Sequence, residues 1–295
     1  MTVASEVIQL FPERKQVPLE GLYLNHRLPE ISSRIGRPLV LTAYVTDRNG
    51  VVANKDAADE LQVPPELKNP SDWHLFQELM AQSDVVISGS AYLKRYISSG
   101  ERAEDILFQF EPGKKFENLG RWRLEAGFEK RQPDLVFLTH NLDFEIPPDV
   151  LASDRRVFVF TTYAMAESKK AGALTDTGAI VIGSGETGVE GEHLINYLGM
   201  GGEYHVIMMA TGPSVLQLLL ESDCLDLLYV TEVQREIGFD DPTDIRMILP
   251  EGKKVSELEE FTLTHRFVQE NVSTEDGART AQEFHRYDRK DLFAG

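Results

Sequence analysis

The residues with the clearest chemical potential form a turn, Thr211-Gly212-Pro213-Ser214. It follows an apolar run, Tyr204–Met209, and opens a strongly apolar stretch, Pro213–Leu220. Proline suits the first helical position, because its missing N–H would have no partner there anyway. A glycine before it lets a ligand approach the backbone closely. The free amides and the positive end of the helix dipole then make a place for a phosphate or pyrophosphate. A well-made strand-to-helix turn without a ligand reads the same way, so the turn alone does not decide.

Other small polar groups fall in equivalent places. Gly89-Ser90 follow the short apolar run Val85-Val86-Ile87, Thr139-His140-Asn141 follow Leu135–Leu138, and Thr161-Thr162 follow Val157–Phe160. In open α/β sheets, ligands lie beyond the carboxyl ends of the strands. Four such ends therefore point to one shared crevice. Gly183-Ser184-Gly185-Glu186-Thr187-Gly188 also fits G-x-G-x-x-G between a strand and a helix. A dinucleotide fingerprint wants an acid about 20 residues further on. The next strand ends instead in Met208-Met209-Ala210.

Other chemistries find no support. The seven histidines form no H-E-x-x-H and no other close metal pair, so no metal site is expected. There is no phosphate-binding G-x-x-x-x-G-K-[ST] loop, no G-x-S-x-G elbow and no S-x-x-K. No catalytic acid, base or nucleophile declares itself. The lone cysteine, Cys224, sits among acidic and apolar neighbours and reads as a structural thiol.

The elements that must position these groups alternate. Leu39–Thr46 reads as a strand stopped by Asn49-Gly50, and Ser71 or Asp72 as the cap of a helix running to about Gln82 with Trp73, Phe76, Leu79 and Met80 on one face. Short strands follow near 85, 135, 157, 179, 204 and 225, with helices between them. Phe261–Gln269 and Ala278–Tyr287 close the chain as two antiparallel strands. This order predicts an α/β fold with a mostly parallel central sheet flanked by helices. Residues 1–36 read as an N-terminal arm and 37–295 as one domain, with a charged, irregular insertion over 98–132.

The formal net charge of −18 over 295 residues disfavours nucleic acid and anionic membrane as partners, since binding either needs many cations. A phosphate-bearing small molecule needs only local donors. No stretch is long and apolar enough for a transmembrane helix, the N-terminus lacks the pattern of a signal peptide, and cytoplasmic location is the expectation.

In order and spacing these segments resemble the pyrimidine reductases of riboflavin biosynthesis. Ile207–Leu216 is similar to that family's hydrophobic strand followed by Glu-Gly-Gly or Glu-Ala-Gly and Pro-Thr-Leu. Asp47-Arg48-Asn49-Gly50 resembles its Ser-x-Asp-Gly turn, and Ser83–Tyr96 its Ala-Asp-Ala-Val-Leu-Val-Gly-x-x-Thr-x-x-x-Asp segment. Pro133–Asn141 resembles Pro-x-Arg-Val-Val-Leu-Asp-Ser, and Phe284–Arg289 the closing Arg-Tyr strand.

The resemblance implies a dihydrofolate-reductase-like sheet, a homodimer, NADPH as hydride donor and an activity like that of 5-amino-6-(5-phosphoribosylamino)uracil reductase. It also implies cofactor contacts from Gly89, Ser90, Tyr92, Thr139, His140, Asn141, Thr161, Thr211, Gly212, Pro213 and Ser214. Substrate contacts would come from Asp47, Asn49, His74, Tyr96 and Ala210. The chain departs from the pattern near the substrate. Tyr92 stands for Thr, Tyr96 for Asp, Ala210 for Glu and Asn49 for Asp. A small-molecule substrate is expected, either a phosphorylated pyrimidine or another planar ligand. The alternative is a non-enzymatic, dimeric nucleotide-binding member of the same fold.

Overall fold

In the computed structural model, residues 6–55, 61–98, 107–200, 204–239 and 241–294 are described. The chain opens with a hairpin, β1 (Glu6–Phe11) and β2 (Lys15–Pro18), then α1 (Leu28–Ile35), β3 (Leu39–Thr46), β4 (Val51–Lys55), β5 (Leu61–Gln62) and α2 (Pro70–Ala81). Next come β6 (Val85–Gly89), α3 (Ser90–Ser98), α4 (Glu117–Glu125), β7 (Asp134–Leu138), α5 (Pro148–Leu151), β8 (Val157–Thr161), α6 (Tyr163–Ala166) and α7 (Lys169–Asp176). β9 (Ile180–Gly183), α8 (Gly191–Gly199), β10 (Val206–Met209), α9 (Pro213–Glu221) and β11 (Leu227–Val233) lead to β12 (Ile245–Met247), β13 (Phe261–Ser273) and β14 (Arg279–Arg289).

These elements form two compact units. The first gathers Met1–Arg27, Leu41–Glu78 and Leu225–Gly295, and the second Leu28–Val40 and Leu79–Cys224. Residue 36, the boundary read from the sequence, falls inside the second unit.

In the first unit the strands run in the order β2-β1-β13-β14-β11-β3, and β12-β4-β5 make a small sheet. Only β11 and β3 pair in parallel, and the other pairs are antiparallel. Val51, Leu67, Val233, Ile237 and Ile245 form a buried apolar cluster under the small sheet. The described residues of the N-terminal arm up to Arg27 belong to this unit. β1 pairs with β13 at Ile8↔Val268, and the turn after β2 is fastened to α2 by the fully buried Glu78. Its carboxylate accepts the backbone N–H groups of Gly21, Tyr23 (2.8 Å) and Leu24 (3.3 Å). A buried carboxylate needs such donors to offset its desolvation.

In the second unit, five strands in the order β10-β6-β7-β8-β9 are all parallel and alternate with helices along the chain. Their side chains are almost fully buried over Val85–Ile87, Leu135–Phe137, Val157–Phe160 and Val206–Met209. Buried runs of this kind are what a parallel sheet requires. The α/β class with a parallel sheet and antiparallel C-terminal strands is thus the class observed.

Two local expectations are corrected. The cap of α2 is neither Ser71 nor Asp72. The Asn69 carboxamide oxygen accepts the Asp72 N–H at 2.9 Å, with Pro70 as the first helical residue. The insertion is not wholly irregular, because α4 lies within it. Arg123 of α4 is buried and donates to the carbonyls of Ala81 (2.8 Å) and Ser83 (2.6 Å), where α2 ends. Residues 99–106 of the insertion lie outside the described residues.

Candidate functional site

The parallel sheet of the second unit places every expected cofactor residue at or just past the carboxyl end of a strand. Gly89 ends β6 and Ser90 begins α3. Thr139, His140 and Asn141 follow β7, Thr161 ends β8, and Thr211–Ser214 lead from β10 into α9. The sheet order makes these successive neighbours along one edge.

Gly212 is the N-cap of α9, with φ −73° and ψ 172°, and Pro213 takes the first turn. No side chain caps this helix. That backbone conformation suits any residue, and a Cβ added at Gly212 meets nothing within 4 Å among the described residues. Gly89 is equally open. Neither position is held to glycine by steric contact among the described residues, and at both a ligand could approach the backbone closely.

The glycine loop after β9 contrasts with this. Gly185 has φ +88°, and a Cβ there would come within 2.2 Å of the Gly188 carbonyl oxygen. A Cβ on Gly183 would come within 2.9 Å of the Tyr163 ring. Both glycines are explained by local packing.

Two hydroxyls at the carboxyl edge stand out. The side-chain oxygens of Thr161 and Thr211 are buried and have no hydrogen-bond partner among the described residues. Buried hydroxyls are normally paired, and an unpaired one costs free energy. Other polar groups here serve the fold. Thr162 accepts the Met165 N–H and caps α6, while Asn141 accepts the Asp143 N–H at 3.1 Å. His140 is exposed beside the glycine loop, its Cε1 at 3.4 Å from a Cβ placed on Gly188. Tyr92 is half-buried on α3.

The expected substrate residues divide between the units. Ala210, in the second unit, donates its N–H to Ile87 O at 2.8 Å. Tyr96 lies on α3, and its side chain is outside the described residues. In the first unit, the Asp47 carboxylate accepts the N–H groups of Asn49 (2.9 Å), Val51 (2.8 Å) and Ile237 (2.9 Å), so it fastens its own turn. Asn49 is exposed. His74 meets Glu78 through Nε2 at 2.9 Å, one helical turn along α2.

The sequence reading passed over a titratable network inside the first unit. Burial pushes the Asp72 carboxyl up to about 6, against the Thr231 hydroxyl that hydrogen-bonds it. Burial also raises both the Tyr23 and Tyr229 phenols. Their rings lie 4.8 Å apart, and His26 Nδ1 is 2.9 Å from the Tyr229 hydroxyl. Arg286 pairs in bidentate fashion with Asp288 at 2.7 and 2.8 Å. No spacing rule announces this cluster, because its members come from the arm, α2, β11, β13 and β14.

Among the described residues, no group of three or more His, Cys, Asp or Glu could hold a metal ion. None of the helices there is long and apolar enough to cross a membrane.

No family model and no curated protein sequence matches the chain. Solved structures do match. A pyrimidine reductase-like protein from Corynebacterium diphtheriae superposes with a TM-score of 0.59 at 18% identity, over 89% of this chain and 98% of that one. Riboflavin biosynthesis reductase Rib7 of Saccharomyces cerevisiae gives 0.52 at 13% identity, over 91% and 99%. The diaminohydroxyphosphoribosylaminopyrimidine deaminase/5-amino-6-(5-phosphoribosylamino)uracil reductase of Thermotoga maritima gives 0.51 at 15% identity, over 86% of this chain but only 57% of that longer one. The chain has the fold of the pyrimidine reductases, the group its sequence resembles.

Proposed function

We propose that this protein is an NADPH-dependent reductase whose substrate differs from the ribosylaminopyrimidine phosphate of the riboflavin pathway. One observation carries the cofactor reading: at the carboxyl edge of the parallel sheet, the Thr211 hydroxyl is buried with no partner among the described residues, directly before a glycine whose Cβ position is open. A pyrophosphate against the α9 amides would use the open space at Gly212 and the helix dipole. The Thr161 and Thr211 hydroxyls would donate to the same ligand. NADPH supplies the hydride, while the protein's part is to orient the two reactants and exclude water.

The substrate reading rests on side-chain chemistry. Ala210 offers no carboxylate to a pyrimidine amino group, and Asp47 already accepts three backbone N–H groups. A polar ring bound without such partners would leave its own groups unpaired. Tyr92 brings an aromatic face where the family has a short hydroxyl, which favours a flatter, less charged ligand. Assembly as a homodimer belongs to the same reading.

The test is thermal unfolding with NADPH, followed by turnover. Saturation at about one hundred times Kd stabilises by about 2.7 kcal/mol, on the order of 5–10 °C for a chain of this size. The ribosylaminopyrimidine phosphate should then be turned over far more slowly than about 1 per second. Ordinary turnover would restore the riboflavin-pathway reaction. No shift with NADPH, NADH or flavin would leave the non-enzymatic alternative.

A further inference from the structure

A pair of histidines in the first unit has no part in the proposed reduction. The His26 and His265 ring centroids lie 4.9 Å apart. His26 also stacks on Tyr23 at 5.2 Å and on Tyr229 at 5.6 Å, and His265 stacks on Phe267 at 6.1 Å. His26 belongs to the turn after β2, His265 to β13 and Tyr229 to β11. The stack therefore holds residues 19–27 against the strands of their own unit.

The polar contacts of the two rings bear on the charge this packing accepts. His26 Nδ1 lies 2.9 Å from the Tyr229 hydroxyl, a phenol that can donate to an unprotonated ring nitrogen. Thr264 donates to Asp288 at 2.8 Å, so it accepts from His265 Nδ1 at 3.2 Å. A positive charge on either ring would face the other imidazole at 4.9 Å and the Arg286 guanidinium. A proton on His26 Nδ1 would turn the acceptor into a second donor aimed at Tyr229.

We propose that the His26–His265 pair is an acid-released latch: protonation of either imidazole frees residues 19–27 from the strands they pack on. The surrounding charges favour this direction. Facing the pair are Tyr23 from the arm, Tyr229 from β11, and Arg286 and Asp288 from β14, while Lys15 of β2 acts on His265. Asp72 and Glu78 of α2 act on Tyr23. Burial, Arg286 and His265 all hold the His26 imidazole well below its ordinary value. Burial and Arg286 hold His265 down, against the pull of Asp288.

The unfolded or released segment has ordinary histidines, so it binds protons first as pH falls below about 6.5. The latch is therefore complete above that pH and weakens below it, by about tenfold in the opening equilibrium per pH unit for each proton taken up.

Hydrogen exchange of the full-length protein, corrected for intrinsic rate, tests this between pH 7.5 and 5. Amides of residues 22–27 should lose protection by at least tenfold, while those of β6 and β7 change little. His26→Gln keeps an acceptor for Tyr229 but takes no proton, so it should abolish the loss, and His265→Gln should reduce it. His74→Gln should leave it in place. Unchanged protection in the wild type overturns the latch. So does an undiminished pH response in both the His26 and His265 variants.

Discussion

Two polar regions of this molecule solve the problem of buried hydrogen-bonding groups in opposite ways. In the first unit, His26 meets Tyr229, and Arg286 and Thr264 both donate to Asp288, side chain to side chain. At the carboxyl edge of the second unit, the Thr161 and Thr211 hydroxyls are buried with no partner among the described residues. The saturated cluster holds a fold together. The unsaturated edge has spare capacity, which is what a ligand site needs before its ligand arrives. Burial alone does not separate the two, and the partner inventory does.

The comparison can be broken by substitution. The largest effect is expected in the saturated cluster. Arg286→Met strands the buried Asp288 carboxylate and should cost about 3–5 kcal/mol of stability, read as a lowered denaturant midpoint. A loss below about 1 kcal/mol, the worth of an exposed pair, would show that the cluster is wetter than its packing implies.

Gly212→Val should do the reverse. A Cβ there meets no atom of the described residues within 4 Å, so the melting point should fall only slightly, by the poorer N-cap. NADPH affinity should fall by about a hundredfold, or about 2.7 kcal/mol, in a fluorescence titration. Normal affinity would make the turn purely structural.

Smallest is the effect of Thr161→Val and Thr211→Val. Each removes an unpaired buried hydroxyl, so stability should hold or rise slightly. NADPH binding should weaken by about 0.5–1.5 kcal/mol per lost hydrogen bond. A large loss of stability instead would mean that these hydroxyls already serve the fold.

What the sequence made legible follows from how local each signal is. The buried strands of the second unit are continuous apolar runs, and the glycine-proline turn before α9 marks a helix start by backbone chemistry alone. The same rule, applied to Asn69-Pro70, would have placed the start of α2 correctly. The β1–β2 hairpin escaped notice because its strands are short and polar, and its partner β13 lies some 260 residues away in sequence. α4 escaped because no side chain caps it and its sequence is densely charged. His74 was read as a substrate contact, although Glu78 stands four residues on, where a helix brings side chains together. Asp72 was read as a cap. Burial in the folded chain raises its proton affinity, against the Thr231 hydroxyl that only folding brings near.

The pairing of β1 with β13 also bears on how the chain is made. A polypeptide leaving the ribosome N-terminus first carries Ile8 into solution long before Val268 exists to pair with it. The second unit, drawn mostly from the continuous stretch Leu79–Cys224, has all its strands by then. Contacts of high sequence separation form late, because the chain between them must first be closed into a loop. During synthesis the opening strand is therefore an unpaired edge in waiting, exposed to chaperones and to other nascent chains until the last strands emerge.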